Sequence, residues 1–495
     1  ASVLGTGMVN VDTTAVNVAL PSIQTAFGID ISGVQWLVDV YLLTVTTLLL
    51  ISGALGDRYG RVFITNLGAV IFIVASLLSA VSPTFSFLMV GRTLQGIGAA
   101  LLAPGGLAII NATISAERQG RIIGLWTTFI TTVIALGPLL GGWIVDNVSW
   151  RYIFLINVPL GLIAFTAAYL FIPESKNLET ADKLLDWQGA IALVFGLGGL
   201  IFGLIEGARL GWTSPIILGA FALSMLGILL FVFIESRSPN PLLPLPFFLI
   251  RDFSGINILT IFYFMAFNGF VFFLTLNLIQ VQEYTAFAVG LALLPITFSI
   301  FFLSTPVGRL SEKYGPRRMM IIGIWISTAG FIYLATLGIE TVYWVSFFPA
   351  ILLLGMGIGF MIVPMTLIIM QSLPQAFSGI AAGSNYAATR LGNMLSIAVF
   401  GAVMVGWFQP ALIERLSLVN LPDAMQGELI GNARNLGALA QPENIPPDLL
   451  DPTQLAIKLA FIDSFRVVMW LCVGLMALSL ITTVVFIEPK RKPND

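Results

Sequence analysis

The 495-residue chain has no histidine and one cysteine, Cys472, and charged residues make up only 10% of it. Without histidine there are no histidine-ligated metal sites and no Ser-His or Cys-His nucleophile pairs. A lone cysteine rules out an intrachain disulfide framework. Proton chemistry therefore falls to carboxylates. The Walker sequence GxxxxGK[ST] is missing as well, which leaves no evident use of ATP as an energy source.

What the chain has is apolar surface. Hydrophobic residues make up 57% of it and the mean hydropathy is +0.96, so the bilayer is its solvent. Runs of about 20 apolar residues, long enough to cross roughly 30 Å of hydrocarbon, follow one another from end to end. In lipid such a backbone must be helical. The runs predict helices at about 3–27, 36–56, 62–81, 84–110, 121–145, 152–173, 187–208, 214–234, 250–280, 285–308, 317–338, 342–371, 379–409 and 460–487. The fold class expected is an all-α polytopic membrane protein with 14 transmembrane helices. A charged connector, ESKNLETADKLLD (Glu174 to Asp186), precedes the seventh helix, and a proline-rich link, SPNPLLPLPFF, follows the eighth.

Lysine and arginine placement sets the expected orientation. With residue 1 inside, 15 of the 23 basic residues fall in inner loops, while Arg151, Arg209, Arg415, Arg434, Lys458 and Arg466 fall outside. Both termini are then cytoplasmic, and residues 410–458 form a long external loop. No signal peptide is evident, and position 1 already lies against the first apolar run.

The chain repeats itself. GALGDRYGRVFIT, Gly53 to Thr65, returns as GRLSEKYGPRRMMI, Gly308 to Ile321, with Gly53 matching Gly308, Asp57 Glu312, Arg58 Lys313, Tyr59 Tyr314 and Gly60 Gly315. The first copy follows helix 2 and the second follows helix 10, so helices 7 and 8 interrupt a six-plus-six repeat. A second echo, GIGAALLAP (Gly96 to Pro104) against GIGFMIVP (Gly357 to Pro364), agrees apart from a one-residue slip. The expected units are an N-terminal six-helix bundle at 1–173, a linker with two extra transmembrane helices at 174–246, and a C-terminal six-helix bundle at 247–495.

These residues resemble the major facilitator superfamily, specifically its fourteen-helix drug:proton antiporter branch. Gly53, Asp57, Arg58, Gly60 and Arg61 meet the family's turn pattern after helix 2. RTLQGIGAA (Arg92 to Ala100) resembles its helix 4 signature, GPLLGG (Gly137 to Gly142) its antiporter motif in helix 5, and VDTTAVNVALP (Val11 to Pro21) the branch pattern in helix 1. Four motifs in order over nearly the whole chain make the signal strong. The resemblance implies a proton-coupled exporter of hydrophobic or amphipathic small molecules, working by alternating access of two bundles. The alternatives are dedicated export of an endogenous lipid, peptide or metabolite, and a transporter-like receptor that moves nothing. No enzyme activity is expected.

Ionisable groups inside the bilayer are costly and mark function. Asp12, Asp39 and Arg92 are the expected proton-coupling residues, with a structural hydrogen-bonding role open for Asp12 and a cation-binding role open for Asp39. Glu206 is expected at the interface, neutralising Arg209. Arg92 shares a helix face with Gln95 and Ala99, whereas the matching site in helix 12, near Leu352 or Leu353, is apolar. Gating is assigned to Asp57, Arg58, Gly60 and Arg61 at one membrane edge and to Gly137, Pro138, Gly141 and Gly142 within helix 5, which topology and small-residue packing explain in part. Gln95, Phe264, Asn268, Asn385 and Arg390 are the substrate-binding candidates; Arg390 can meet an anionic substrate or balance a central carboxylate. Expected partners are a small-molecule substrate, protons and the lipid bilayer, with no nucleic acid, no metal and no cofactor. A monomer in the cell membrane is expected.

Overall fold

The computed structural model describes residues 2–102, 137–172, 174, 186–239, 241, 243, 245–339, 342–374, 377–419, 421–439 and 445–488. We number its long helices in chain order. They are α1 (Ser2–Phe27), α2 (Ile31–Tyr59), α3 (Arg61–Ala80), α4 (Phe85–Leu102), α5 (residues 137–147), α6 (Arg151–Leu155 and Asn157–Phe171, interrupted at Ile156), α7 (Trp187–Leu210) and α8 (Pro215–Arg237). After a single 3-10 turn come α9 (Arg251–Leu276), α10 (Ala286–Tyr314), α11 (Pro316–Ala335), α12 (Phe347–Ser372), α13 (Ser378–Leu416) and α14 (Pro447–Phe486). Among the described residues, 12 helices are long and apolar enough to cross a membrane; α1, with its run of threonines, asparagines and Asp12, and α5 stand outside that set.

Side chains close several helix starts, as an apolar medium demands. Asp30 accepts from the amide of Gly33 at 3.0 Å, Asp186 from Gly189 at 2.7 Å, and Thr285 from Ala288 at 3.2 Å.

Two boundaries differ from the expectation. The segment expected as a loop from 410 to 458 is helical at both ends: α13 continues through Pro410 to Leu416, and α14 begins at Pro447. Between them lie a short helix, Asp423–Gly431, and a 3-10 turn, Ala433–Ala438. Proline tolerates both placements, because Pro447 occupies a first helical turn where no amide is missed and a single interior proline bends a long helix without ending it.

The repeat shows in the helix lengths. α2 and α10 each have 29 residues, each ends at a tyrosine followed by a glycine of positive φ (+118° at Gly60, +91° at Gly315), and each leads into a 20-residue helix. Packing corrects the register of the second echo. A Cβ on Gly96 would press on Tyr41 and Thr44 of α2, and one on Gly355 on Ile296 and Ser299 of α10; Gly98 approaches Gly68 and Phe72 of α3, and Gly357 approaches Gly323 and Ser327 of α11. Gly96 therefore matches Gly355 and Gly98 matches Gly357. The counterpart of Arg92 moves to Ile351, a buried apolar residue, so the charge still belongs to the first half alone.

Helices α7 and α8 pack on each other through close approaches at Gly196, Gly199 and Gly227. α8 turns most of its apolar surface outward, while α7 lies against α2 of the first half and α13 of the second.

The turn at Gly60 carries a prediction. Glu174 accepts from the amides of Val62 and Phe63 at 3.0 and 2.9 Å and so caps α3, and a Cβ on Gly60 would meet that carboxylate within 2.8 Å. Gly60→Ala adds left-handed backbone strain to this collision, and a loss of about 1–3 kcal/mol is expected, read as a lowered thermal unfolding midpoint of the purified protein. An unchanged midpoint would show that the turn relaxes freely.

Candidate functional site

The first half holds a sealed polar core. Asp12 of α1 receives Arg92 of α4 at 2.7 Å, Asn157 of α6 at 2.8 Å and Gln95 of α4 at 3.2 Å. Arg92 also donates to the Gln95 side-chain oxygen at 2.9 Å and to the Leu37 carbonyl at 3.2 Å, and Gln95 donates to Ser76 at 2.8 Å. Asp12, Ser76, Gln95 and Asn157 are fully buried and Arg92 is 1% exposed. The guanidinium lies 4.4 Å from the ring centre of Tyr41 and 5.9 Å from that of Phe154. This closed network neutralises Asp12 and holds Gln95, one of the substrate-binding candidates, in its interior.

Asp39 is arranged differently. It is fully buried one turn along α2 from Gln35, and among the described residues neither carboxylate oxygen has a hydrogen-bond partner. Gln35 faces the second half, donating to the Ile397 carbonyl of α13 at 2.7 Å, so the spacing places Asp39 on the face of α2 that lines the seam between the halves. Trp36, on the adjacent face, donates to Glu206 of α7 at 3.0 Å, and Glu206 also pairs with Arg209. Among the described residues the seam holds other polar atoms without partners, namely Arg390 Nε and Asn393 Oδ1. Buried groups of this kind are costly unless water, a proton or a solute serves them at some stage.

The remaining substrate-binding candidates divide. Asn385 donates to Thr260 at 2.7 Å, and Asn268 donates to the Asn393 carbonyl at 3.2 Å and to Ser396 at 3.0 Å, so both clamp α13 to α9. Phe264 is half-buried, edge-on to Tyr263. Arg390 is buried against Tyr386. Among the gating candidates, Gly137 docks on Thr14 and Gly141 on Ala15 of α1, whereas Gly142 and Pro138 lie against Ala286 and Gly290 of α10, in the other half. Arg58 lies over the Tyr59 ring and Arg61 opens α3. The side chain of Asp57 lies outside the described residues, as do Arg118 and Arg121.

Among the described residues, several hydrogen bonds between the halves lie toward the end where α1 stops and α2 starts. There Gln280 donates to Gln24 at 3.0 Å, Gln35 reaches α13, and Asp146 of α5 accepts from the amides of Ala286 and Phe287 at 3.1 and 2.7 Å, capping α10. Gly401 lets the Gln35 amide approach, and a Cβ there would overlap it. Gly401→Ala is therefore expected to open this end, with overpacking of about 1–3 kcal/mol. Spin labels on α2 and α13 should report longer distances, and Gln35→Ala in the same chain should restore them; unchanged distances would show that this contact does not hold the seal.

Sequence reading missed Ser76, Asn157 and Tyr41. Asn157 carried a legible signal, a polar amide two residues before Pro159 inside an apolar run. Ser76 and Tyr41 carried none, since either residue is ordinary in a transmembrane helix.

A repeated helical architecture with polar groups at the seam between its halves is the build of a membrane transporter. The family model for the Major Facilitator Superfamily matches residues 3–186 and 186–397, and the chain belongs to that family, whose members are transporters and not enzymes. It is an integral membrane protein. It is 32% identical over 405 residues to the methylenomycin A resistance protein of Bacillus subtilis (strain 168), covering 81% of this chain and 86% of that one. It is 30% identical over 493 residues to the multidrug resistance protein Stp of Mycobacterium tuberculosis (strain CDC 1551 / Oshkosh), covering 96% and 89%. Its fold matches the crystal structure of a D-xylose-proton symporter with a TM-score of 0.62 at 15% identity, over 99% of this chain and 97% of that one.

Proposed function

We propose that this protein is a fourteen-helix, proton-coupled exporter of hydrophobic or amphipathic small molecules in the plasma membrane, acting as a monomer with both termini cytoplasmic. The observation that carries the reading is the contrast between two buried carboxylates: Asp12 is paired with Arg92, and Asp39 faces the seam with no partner among the described residues. A carboxylate without a counter-ion, at a boundary that opens alternately to each side, is suited to load and release a proton. The Asp12–Arg92 pair braces the first half, and its two charges take part in the coupling together with Asp39. On the expected orientation the sealed end is the outer one, so the present arrangement is closed to the outside. Relatives named for antibiotic resistance support export over import.

A substrate panel in proteoliposomes tests the reading. Methylenomycin A and tetracenomycin C, the compounds named in two relatives, belong in it. Solute accumulation against its gradient is expected under an imposed pH difference and is expected to vanish when that difference is collapsed. Flux that persists unchanged after collapse would refute proton coupling.

A further inference from the structure

Arg390 is a buried cation with no counter-ion among the described residues. It sits mid-way along α13 with 6% of its surface exposed, its guanidinium 4.9 Å from the ring centre of Tyr386 and bonded to the Tyr386 hydroxyl. Its other electrostatic neighbour is Tyr41, across the seam in the first half. Nε has no acceptor, and among the described residues Arg390 makes no ion pair. Arg92 is the contrast: the same group, equally buried, matched by Asp12 and a ring of amides. Asp39 lies on α2 two residues from Tyr41, yet its own oxygens are unpartnered, so it does not supply the missing charge in this state.

A desolvated guanidinium set against the Tyr386 phenol is poorly compensated, since cation-π contact offsets only part of the lost hydration. Position in the seam gives it a use. Beside it, α9 approaches Gly392 at Ile261 and Met265 and carries the half-buried rings of Phe264 and Phe267. We propose that Arg390 anchors an anionic group of the transported solute, so that the site favours amphipathic acids, with a carboxylate, sulfonate or phenolate on an apolar body, over cations of equal size. This rests on the transport reading and names its substrate class. It also has an energetic consequence. An anion leaving and a proton entering both carry positive charge inward, so the membrane potential and the pH gradient drive such an exchange together.

Equilibrium binding to the purified full chain tests the assignment. The probes are tritiated 1-naphthaleneacetate, its neutral amide 1-naphthaleneacetamide, and (1-naphthylmethyl)trimethylammonium, at neutral pH. The wild type is expected to bind the acid about tenfold or more tightly than the amide and the ammonium, the range of a charge-assisted hydrogen bond. Arg390→Gln should lose that preference while binding the amide normally, which also reports an intact fold, and Arg390→Lys should keep most of it. The proposal is overturned by an ammonium that binds the wild type as well as the acid, by no saturable binding of the acid, or by Arg390→Gln weakening acid and amide by one common factor. Binding needs no gradient, so its outcome is independent of whether transport proves to be proton-driven.

Discussion

Arg92→Gln should lower gradient-driven efflux by about 100-fold or more and also destabilise the protein, while the double variant Asp12→Asn with Arg92→Gln should regain stability without regaining efflux. The cause is the sealed network. Removing Arg92 leaves the Asp12 carboxylate at zero exposure with only the amides of Asn157 and Gln95 as donors. Breaking one member of a buried pair costs about 3–5 kcal/mol, whereas removing both charges is close to neutral. From sequence, Arg92 reads as a functional charge that folding can do without. The 2.7 Å ion pair changes that, because the charge is part of the packing of α1, α4 and α6. Thermal midpoints in detergent and efflux at matched expression check both halves of the statement. A double variant that transports normally would remove the pair from the mechanism, and one that stays as unstable as Arg92→Gln would show that the network holds by shape and not by charge.

Asp39→Asn should do the reverse: nearly unchanged stability, with pH-driven accumulation reduced by about 100-fold or more. Its two oxygens accept no hydrogen bond in this state, so an amide replaces the carboxylate without orphaning a donor. Exchange of labelled for unlabelled solute at equal pH should survive, since binding and rocking of the halves do not require the proton. Efflux that remains fully gradient-dependent in Asp39→Asn would place the coupling carboxylate elsewhere.

The repeated turn and the intramembrane charges were legible because each breaks a monotonous apolar background. Gly60 and Gly315 mark the same turn in both halves, and their positive φ angles give the physical reason glycine stands there. The register of the helix 4 and helix 12 echo was misread by two residues, because GIG recurs by chance near the motif, while the contacts of Gly96 with α2 and of Gly98 with α3 fix the correct pairing. Asn268 and Asn385 read as cavity residues from their polarity in an apolar run. Their amides bond between α9 and α13, with partners set by which helix lies opposite, which local sequence does not encode. The same holds for α7, which touches both halves and meets Trp36 through Glu206.

The central claim, coupled exchange of solute for proton, is tested most directly by letting the solute drive the proton. Proteoliposomes are loaded with a transported compound from the panel and a luminal pH dye, then diluted into compound-free medium of equal pH. Outward flow of the compound should draw protons inward and acidify the lumen, and Asp39→Asn vesicles should show no such change. A lumen that turns alkaline would mean symport, and a lumen whose pH stays constant while the compound leaves would mean uncoupled transport; either result contradicts the account.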